Sequence, residues 1–313
     1  MRIKRLLAIA GLCLVGLLGT AHAGVDAEAS KKCMKCHDED LEKYAKSAHA
    51  ISADPRTPTC VTCHGASAKH VAKSSSNDPE IMYSRKSEQS ASERSAVCLS
   101  CHDKDASRNL WPGSPHQGAD LACNSCHKVH EHKDRALVKA TQPNVCYSCH
   151  KEQRVQVQRP SHHPIPEGKM TCSDCHAVHG SSGPKLAKRD STNDTCFQCH
   201  AEKRGPFVHP HQPATEDCAT CHNAHGSTVA AMLKVRPPML CQQCHTPHVA
   251  GGVGALGGQA GVFSGASPAV GATANGKNVV NLWQGRSCMN CHTQVHGSNN
   301  PSATNPTPQY LFR

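Results

Sequence analysis

The stretch TCSDCHAVHG, residues 171–180, places two cysteines and two histidines at a fixed spacing. It contains the motif C-x-x-C-H, which ends at His176, and a second histidine, His179, three residues later. Similar stretches are ACNSCHKVH from Ala122 and DCATCHNAHG from Asp217. The repetition indicates that the chain uses one chemical unit several times.

Ten copies of C-x-x-C-H account for 20 of the 21 cysteines, and the remaining one is Cys13. The motif is the attachment signature of c-type haem, in which two thiols bond to the haem vinyl groups and the histidine reaches the iron. Zinc sites, disulfides and redox C-x-x-C pairs do not require a histidine at that position. The sequence therefore predicts ten c-type haems (haem c, iron). Their covalent attachment sites are Cys33, Cys36, Cys60, Cys63, Cys98, Cys101, Cys123, Cys126, Cys146, Cys149, Cys172, Cys175, Cys196, Cys199, Cys218, Cys221, Cys241, Cys244, Cys288 and Cys291, and the motif (proximal) histidines are His37, His64, His102, His127, His150, His176, His200, His222, His245 and His292.

Histidines outside the motifs supply a second set of candidate iron ligands. Every interval that follows a motif contains at least one histidine, so the pattern predicts two histidines on each iron. Three intervals offer two candidates each: His130 or His132, His162 or His163, and His209 or His211. Short stretches of similar sequence around the histidines of different intervals favour one histidine of each pair. The predicted distal ligands are His49, His70, His116, His130, His163, His179, His211, His225, His248 and His296.

The C-H-x-x-H spacing limits which iron the second histidine can reach. Two imidazoles on opposite faces of one iron have Cα atoms roughly 12 Å apart, whereas three residues of extended chain span about 10–11 Å. His179 therefore cannot bind the iron that His176 binds. The same holds for His130, His225 and His248, so each of these segments is expected to link two haems.

The composition predicts a fold that depends on its cofactors. Aromatic residues are 3% of the chain, and Gly (23) and Pro (20) are frequent, so side chains alone would bury little apolar surface. Ten haems would supply the missing core, and folding should depend on their attachment. We expect mostly irregular coil with short α-helices around an elongated chain of ten haems, and little or no β-sheet.

The first 23 residues have the features of a secretory signal peptide. The basic start MRIKR is followed by an apolar stretch, Leu6 to Gly19, and by Ala21-His22-Ala23, a small-x-small cleavage site. The apolar stretch is short for a membrane span. We expect residues 1–23 to be removed on export, and retention as an uncleaved anchor is the alternative.

The formal net charge of +10 does not indicate nucleic-acid binding. The signal peptide contributes +3 of it. The propionates of ten haems add about −20, and ten ferric bis-histidine centres return about +10, which leaves the protein mildly acidic. The usual reading of a basic chain, a nucleic-acid partner, therefore does not apply.

Ten bis-histidine c-type haems in an exported chain of 313 residues resemble the MtrA/DmsE-type periplasmic decahaem cytochromes. The ending CMNCHTQVHGSNNP, Cys288 to Pro301, is similar to that family's last haem segment. The resemblance implies two pentahaem halves, residues 24–165 and 166–313. It also implies an electron-transfer wire across the outer membrane inside a β-barrel porin, which links a periplasmic or inner-membrane quinol-linked cytochrome to an extracellular multihaem cytochrome or terminal reductase.

Two other functions compete with this conduit. One is a soluble periplasmic shuttle that donates electrons to a terminal reductase. The other is a multihaem enzyme, which needs an open iron position; a histidine in every interval argues against it, so we expect an electron carrier without catalytic residues. The direction of electron flow and the terminal donor or acceptor have no signal in the sequence.

Overall fold

The computed structural model describes residues 30–50, 54, 56–84, 86–245, 288–290 and 292–299, and the backbone of 273–274 and 277–278. The predicted signal peptide, Cys291 and the predicted distal ligand His248 lie outside the described residues.

Short helices are the main regular structure, and many of them begin at a C-x-x-C-H motif. The longest described helix, Ala91–His102, ends on the third motif. Ser90 caps its start: the Ser90 side chain accepts a hydrogen bond from the Glu93 N–H, and the Glu93 carboxylate accepts one from the Ser90 N–H. The other α-helices are Asp38–Ala45, Cys60–His64, Ala68–Ala72, Pro115–Gly118, Cys123–Cys126, Gln142–Tyr147, Lys151–Gln156, Cys172–Cys175, Thr192–Cys196, Gln212–Glu216 and Met239–Gln242. The 3-10 turns are Cys33–Lys35, Ser74–Ser76, Ala106–Arg108, Pro184–Leu186, Ala201–Lys203, Cys218–Thr220, Ala230–Met232 and Cys288–Asn290.

Strands are few and two residues long in the described part of the chain. His209–Pro210 pairs antiparallel with Gly297–Ser298, and Thr273–Ala274 pairs antiparallel with Lys277–Asn278. The prediction of irregular coil with short helices and little sheet is confirmed.

The side-chain core is correspondingly small. Among the described residues, the buried hydrophobic ones are Ala91, Trp111, Ala122, Tyr147, Val157 and Ala187, and half of them are alanines. Larger apolar side chains stay exposed, among them Leu137 at 74% and Val155 at 64%. Side chains alone do not supply the apolar area that normally holds a domain of this size together.

The chain divides into two compact units, with the boundary between Val145 and Cys146. The first unit contains the first four motifs and the second contains the other six. The boundary between the two units lies 20 residues before the boundary at 165/166 that the family resemblance implies. The division into two pentahaem halves therefore stays a prediction. Within the described residues, no helix combines the length and the apolar character needed to cross a bilayer.

Candidate haem-binding sites

Each of the nine C-x-x-C-H motifs that are described in full folds as a helical turn. The backbone N–H of the motif histidine donates to the carbonyl oxygen of the first cysteine, at 3.0 Å for His176 and Cys172 and at 3.1 Å for His222 and Cys218. Such a turn brings residues i, i+3 and i+4 to one side of the chain. The two thiols and the imidazole of a motif therefore face the same space, as attachment to one haem requires.

Neighbouring motifs meet through their first cysteines, which pair as Cys33–Cys60, Cys98–Cys123, Cys146–Cys172, Cys196–Cys218 and Cys241–Cys288. As free thiols, Cys98 and Cys123 share a hydrogen bond that raises the pKa of Cys98 and lowers the pKa of Cys123 to about 6. The equivalent bond from Cys196 lowers the pKa of Cys218 to about 7.

Second cysteines connect these pairs to one another. Burial raises the pKa of Cys63, and nearby thiolates, that of Cys101 among them, raise it further. Burial likewise raises the pKa of Cys175 and of Cys221, and the nearby thiolates of Cys199 and Cys244, respectively, add to the increase, while Lys188 and Lys234 oppose it. Consecutive motifs are thus adjacent from the first to the fourth in one unit and from the fifth to the tenth in the other.

Seven motif histidines face a histidine from outside the motifs, with ring centres 5.9–6.2 Å apart. In the first unit the pairs are His37 with His70, His64 with His130, and His102 with His49. In the second they are His176 with His225, His200 with His163, His222 with His296, and His245 with His211. All seven partners belong to the predicted distal set.

The spacing of the rings fits an iron between them. A metal–imidazole nitrogen bond is about 2.0–2.1 Å and the ring centre lies about 1.1 Å behind that nitrogen, so two rings on one metal have centres about 6.3 Å apart. His130 and His225 each face the histidine of a motif other than the one they follow, in agreement with the limit set by chain reach.

Six predicted ligands are not part of the seven histidine ring pairs: five are described residues, and one is not. His116, His127, His150, His179 and His292 all make other contacts. His248 lies outside the described residues. The pairing of these six side chains stays a prediction.

The alternative candidates occupy other positions. His132 donates from Nδ1 to the carbonyl oxygen of Lys46, at 2.7 Å, and His162 contacts Glu167 through Nε2, at 3.0 Å. That contact raises the pKa of His162. The ring of His209 is not among the seven pairs, and its Nε2 is buried without a hydrogen-bond partner among the described residues.

Backbone carbonyls hold several of the paired rings in the tautomer that binds metal. A carbonyl oxygen accepts only, so Nδ1 carries the hydrogen and Nε2 is left for the iron. The bonds run from His64 to Ile81, His70 to Asn77, His163 to Ala224, His176 to Lys185, and His222 to Ala231, at 2.7–3.0 Å. Burial lowers the pKa of His49, His64, His211, His225 and His296, which favours the neutral ring.

Two copies of one loop, after His176 and after His222, supply such carbonyls. In the first copy Lys185 and Leu186 have φ of 53° and 60°, and in the second Ala231 and Met232 have φ of 56° and 55°. Left-handed backbone costs roughly 1–2 kcal/mol for a non-glycine residue. The loop geometry offsets that cost, because the first carbonyl accepts from the ring Nδ1 and the second accepts from the N–H that follows the motif histidine.

Two tyrosines also position the candidate ligands. Tyr44 donates to the carbonyl oxygen of Pro58, and its ring meets that of His130 edge-on, with centres 6.0 Å apart. Tyr83 donates to the carbonyl oxygen of Cys63 at 3.0 Å, and its ring meets His64 edge-on at 5.3 Å. Sequence reasoning missed both, although a chain with four tyrosines offers few such residues.

The donor set fits haem c. Each of the nine motifs described in full provides two thiols and an imidazole on one side of the chain, and seven motif imidazoles face a second imidazole at the spacing of one iron. Arg94, on the helix that carries the third motif, has a buried Nε without a hydrogen-bond partner among the described residues. A haem propionate carries a negative charge and would accept a hydrogen bond from this positively charged donor.

Comparisons with known proteins agree with this chemistry. A family described as a doubled CXXCH motif matches residues 162–205 and 211–250, and one described as cytochrome c-type protein NrfB-like matches residues 60–141. The chain is 42% identical over 290 residues to the multiheme cytochrome MtrA of Shewanella baltica, which covers 90% of this chain and 82% of that protein. It is 30% identical over 128 residues to the cytochrome c-type protein NrfB of Escherichia coli, covering 39% and 65% of the two chains, and 28% identical over 154 residues to NrfB of Haemophilus influenzae, covering 41% and 67%.

Proposed function

The chain belongs to the MtrA-type multihaem c-type cytochromes, and on that premise we propose that all ten motifs carry haem and that two histidines bind each iron. The protein is an electron-transfer protein that binds c-type haem. When bound, haem c exchanges one electron between ferric and ferrous iron. With both axial positions filled by histidine, no position is left for a substrate, and the protein acts as a carrier and not as an enzyme.

The facing rings support a specific assignment of the distal ligands. We assign the seven non-motif histidines of these pairs to the irons of the motif histidines that they face. In the first unit this leaves His116 for the iron of His127. In the second it leaves His179 and His248 for the irons of His150 and His292.

The observation that carries the function is the proximity of consecutive motifs. Each unit contains an unbroken series of neighbouring motifs whose cysteine thiols lie close enough to shift each other's pKa. Electron transfer between cofactors slows steeply with distance, so a series without gaps favours movement of electrons along the chain. A protein that stores or delivers a single electron needs no such series.

We place this series in the periplasm, associated with the outer membrane. There it would lie inside a β-barrel porin, because a closed barrel can enclose a polypeptide within a bilayer. Its partners would be a periplasmic or inner-membrane quinol-linked cytochrome on one side and an extracellular multihaem cytochrome or terminal reductase on the other. The soluble periplasmic shuttle that donates electrons to a terminal reductase is the second candidate function.

The first expected result is the haem count. The mature protein, analysed by intact-mass spectrometry, should exceed the mass of its polypeptide by ten haems, because every motif presents two thiols and an imidazole. The polypeptide made without haem attachment provides the reference mass. A purified protein that carries eight haems or fewer would contradict the assignment of all ten motifs.

The second expected result tests the conduit. Liposomes that enclose a redox dye should lose the dye colour on addition of an external, impermeant reductant when the cytochrome and an outer-membrane β-barrel porin of the same organism are both present. Liposomes with either protein alone should keep the colour. If the cytochrome never co-purifies with a barrel and reduces soluble periplasmic proteins equally well alone, the shuttle is correct and the conduit is not.

A further inference from the structure

The three C-H-x-x-H segments after His127, His176 and His222 differ in what holds the motif histidine. His176 and His222 donate from Nδ1 to backbone carbonyl oxygens, at 3.0 and 2.8 Å. Nδ1 of His127 instead lies 2.5 Å from Oδ2 of Asp134, a carboxylate. A neutral carbonyl dipole therefore holds the motif histidine in two of these segments, and a carboxylate with a full negative charge holds it in the third.

Asp134 is fixed in place for this contact. Its side chain is 15% exposed and that of His127 is 28% exposed, so solvent screens the contact only in part. The second carboxylate oxygen, Oδ1, accepts from the backbone N–H of Ala136 at 3.0 Å. The corresponding positions seven residues after His176 and His222 are Gly183 and Val229, neither of which can supply an anionic acceptor.

We propose that Asp134 lowers the reduction potential of the haem at Cys123 and Cys126 below those of the haems at the motifs of His176 and His222. A carboxylate that accepts the Nδ1 hydrogen makes the imidazole a stronger electron donor, and such contacts tune both ligand basicity and redox potential. The negative charge also favours ferric over ferrous iron. The inference rests on the proposed function, because it requires a haem on the fourth motif.

The consequence is a difference within the first unit. The haem of the fourth motif would be reduced after the haems whose motif histidines donate to carbonyls, such as the haem of His64 in the second motif. Asp134 acts through His127 and is a positioning residue.

The test compares the wild-type holoprotein with Asp134→Asn and Asp134→Ala by spectroscopic redox titration. In both variants one haem should be reduced more readily, by about tenfold in its reduction equilibrium constant, which corresponds to about 59 mV for one electron. The haem methyl NMR signals of one ferric haem should move with it. Asp120→Asn is the matched control: it removes the same charge from an exposed site at φ 56°, a conformation that asparagine adopts readily, and it should shift no haem.

Each outcome decides between the inference and its alternatives. Ten haems with unchanged potentials in both Asp134 variants would overturn the inference and leave the proposed function intact. Equal shifts in Asp120→Asn would reduce the effect to general charge and overturn it as well. Loss of one haem from both variants would make Asp134 a purely structural residue, whereas a wild-type protein without a haem on the fourth motif would instead refute the proposed function.

Discussion

The double variant Cys98→Ala/Cys101→Ala should fail to keep the first unit folded, although it removes only two sulfur atoms. The third motif closes the helix Ala91–His102, and the haem attached there would pack against that helix and its neighbours. The buried hydrophobic residues of this unit are Ala91, Trp111 and Ala122 in the described part of the chain. When this haem is absent, only the other three haems of the unit and this small side-chain core would be left to hold the fold together.

The expected loss is comparable to the whole stability of a domain. A buried aromatic side chain covers about 150–250 Å², which at about 25 cal/mol per Å² corresponds to about 4–6 kcal/mol. A haem presents more apolar area than any side chain, and domains are stable by only about 5–15 kcal/mol. We expect low recovery, rapid cleavage by added protease within residues 30–145, and no cooperative thermal transition for the first unit.

Ser100→Ala is the matched control, because Ser100 is an exposed residue inside the same motif and its replacement keeps C-x-x-C-H intact. This variant should carry ten haems and resist protease like the wild type. A double-cysteine variant that is recovered with nine haems and the wild-type melting temperature would show that side chains, and not the haem, hold the unit together.

The sequence predicted the local parts of each site because their geometry is local. The turn that joins Cys172 to His176 spans five residues, so its shape follows from spacing alone. The sparse core followed from composition, and the structure shows it. The described residues therefore have the predicted coil and short helices.

The sequence did not predict which histidine faces which motif, because tertiary packing decides that. His49 follows the first motif, yet its ring faces His102 of the third, while His37 of the first motif faces His70. The interval pattern selected these side chains as candidates and held no information on their partners. The role of Asp134 was likewise hidden, because only the structure shows that a carboxylate replaces a carbonyl beside the motif histidine of one C-H-x-x-H segment.

Replacement of His130 by alanine should convert one low-spin haem to a high-spin, five-coordinate haem that binds carbon monoxide when reduced. The ring of His130 faces His64, with centres 6.2 Å apart, and alanine offers no donor atom to the iron. One tenth of the haem absorption should change, since the other nine irons keep both ligands. His132→Ala is the matched control: it lies two residues away, holds the Lys46 carbonyl instead, and should leave every haem low-spin.

A second substitution shows which iron His130 binds. His64→Ala should by itself change one haem, either by opening its iron or by preventing attachment at Cys60 and Cys63. If His64 and His130 share that iron, adding His130→Ala to His64→Ala creates no further high-spin haem, whereas ligands on different irons would add a second one. Absorption and magnetic circular dichroism count the high-spin haems, and intact mass counts the attached ones. A second high-spin haem in the double variant would assign His130 to another motif and would contradict the pairing that we infer from the facing rings.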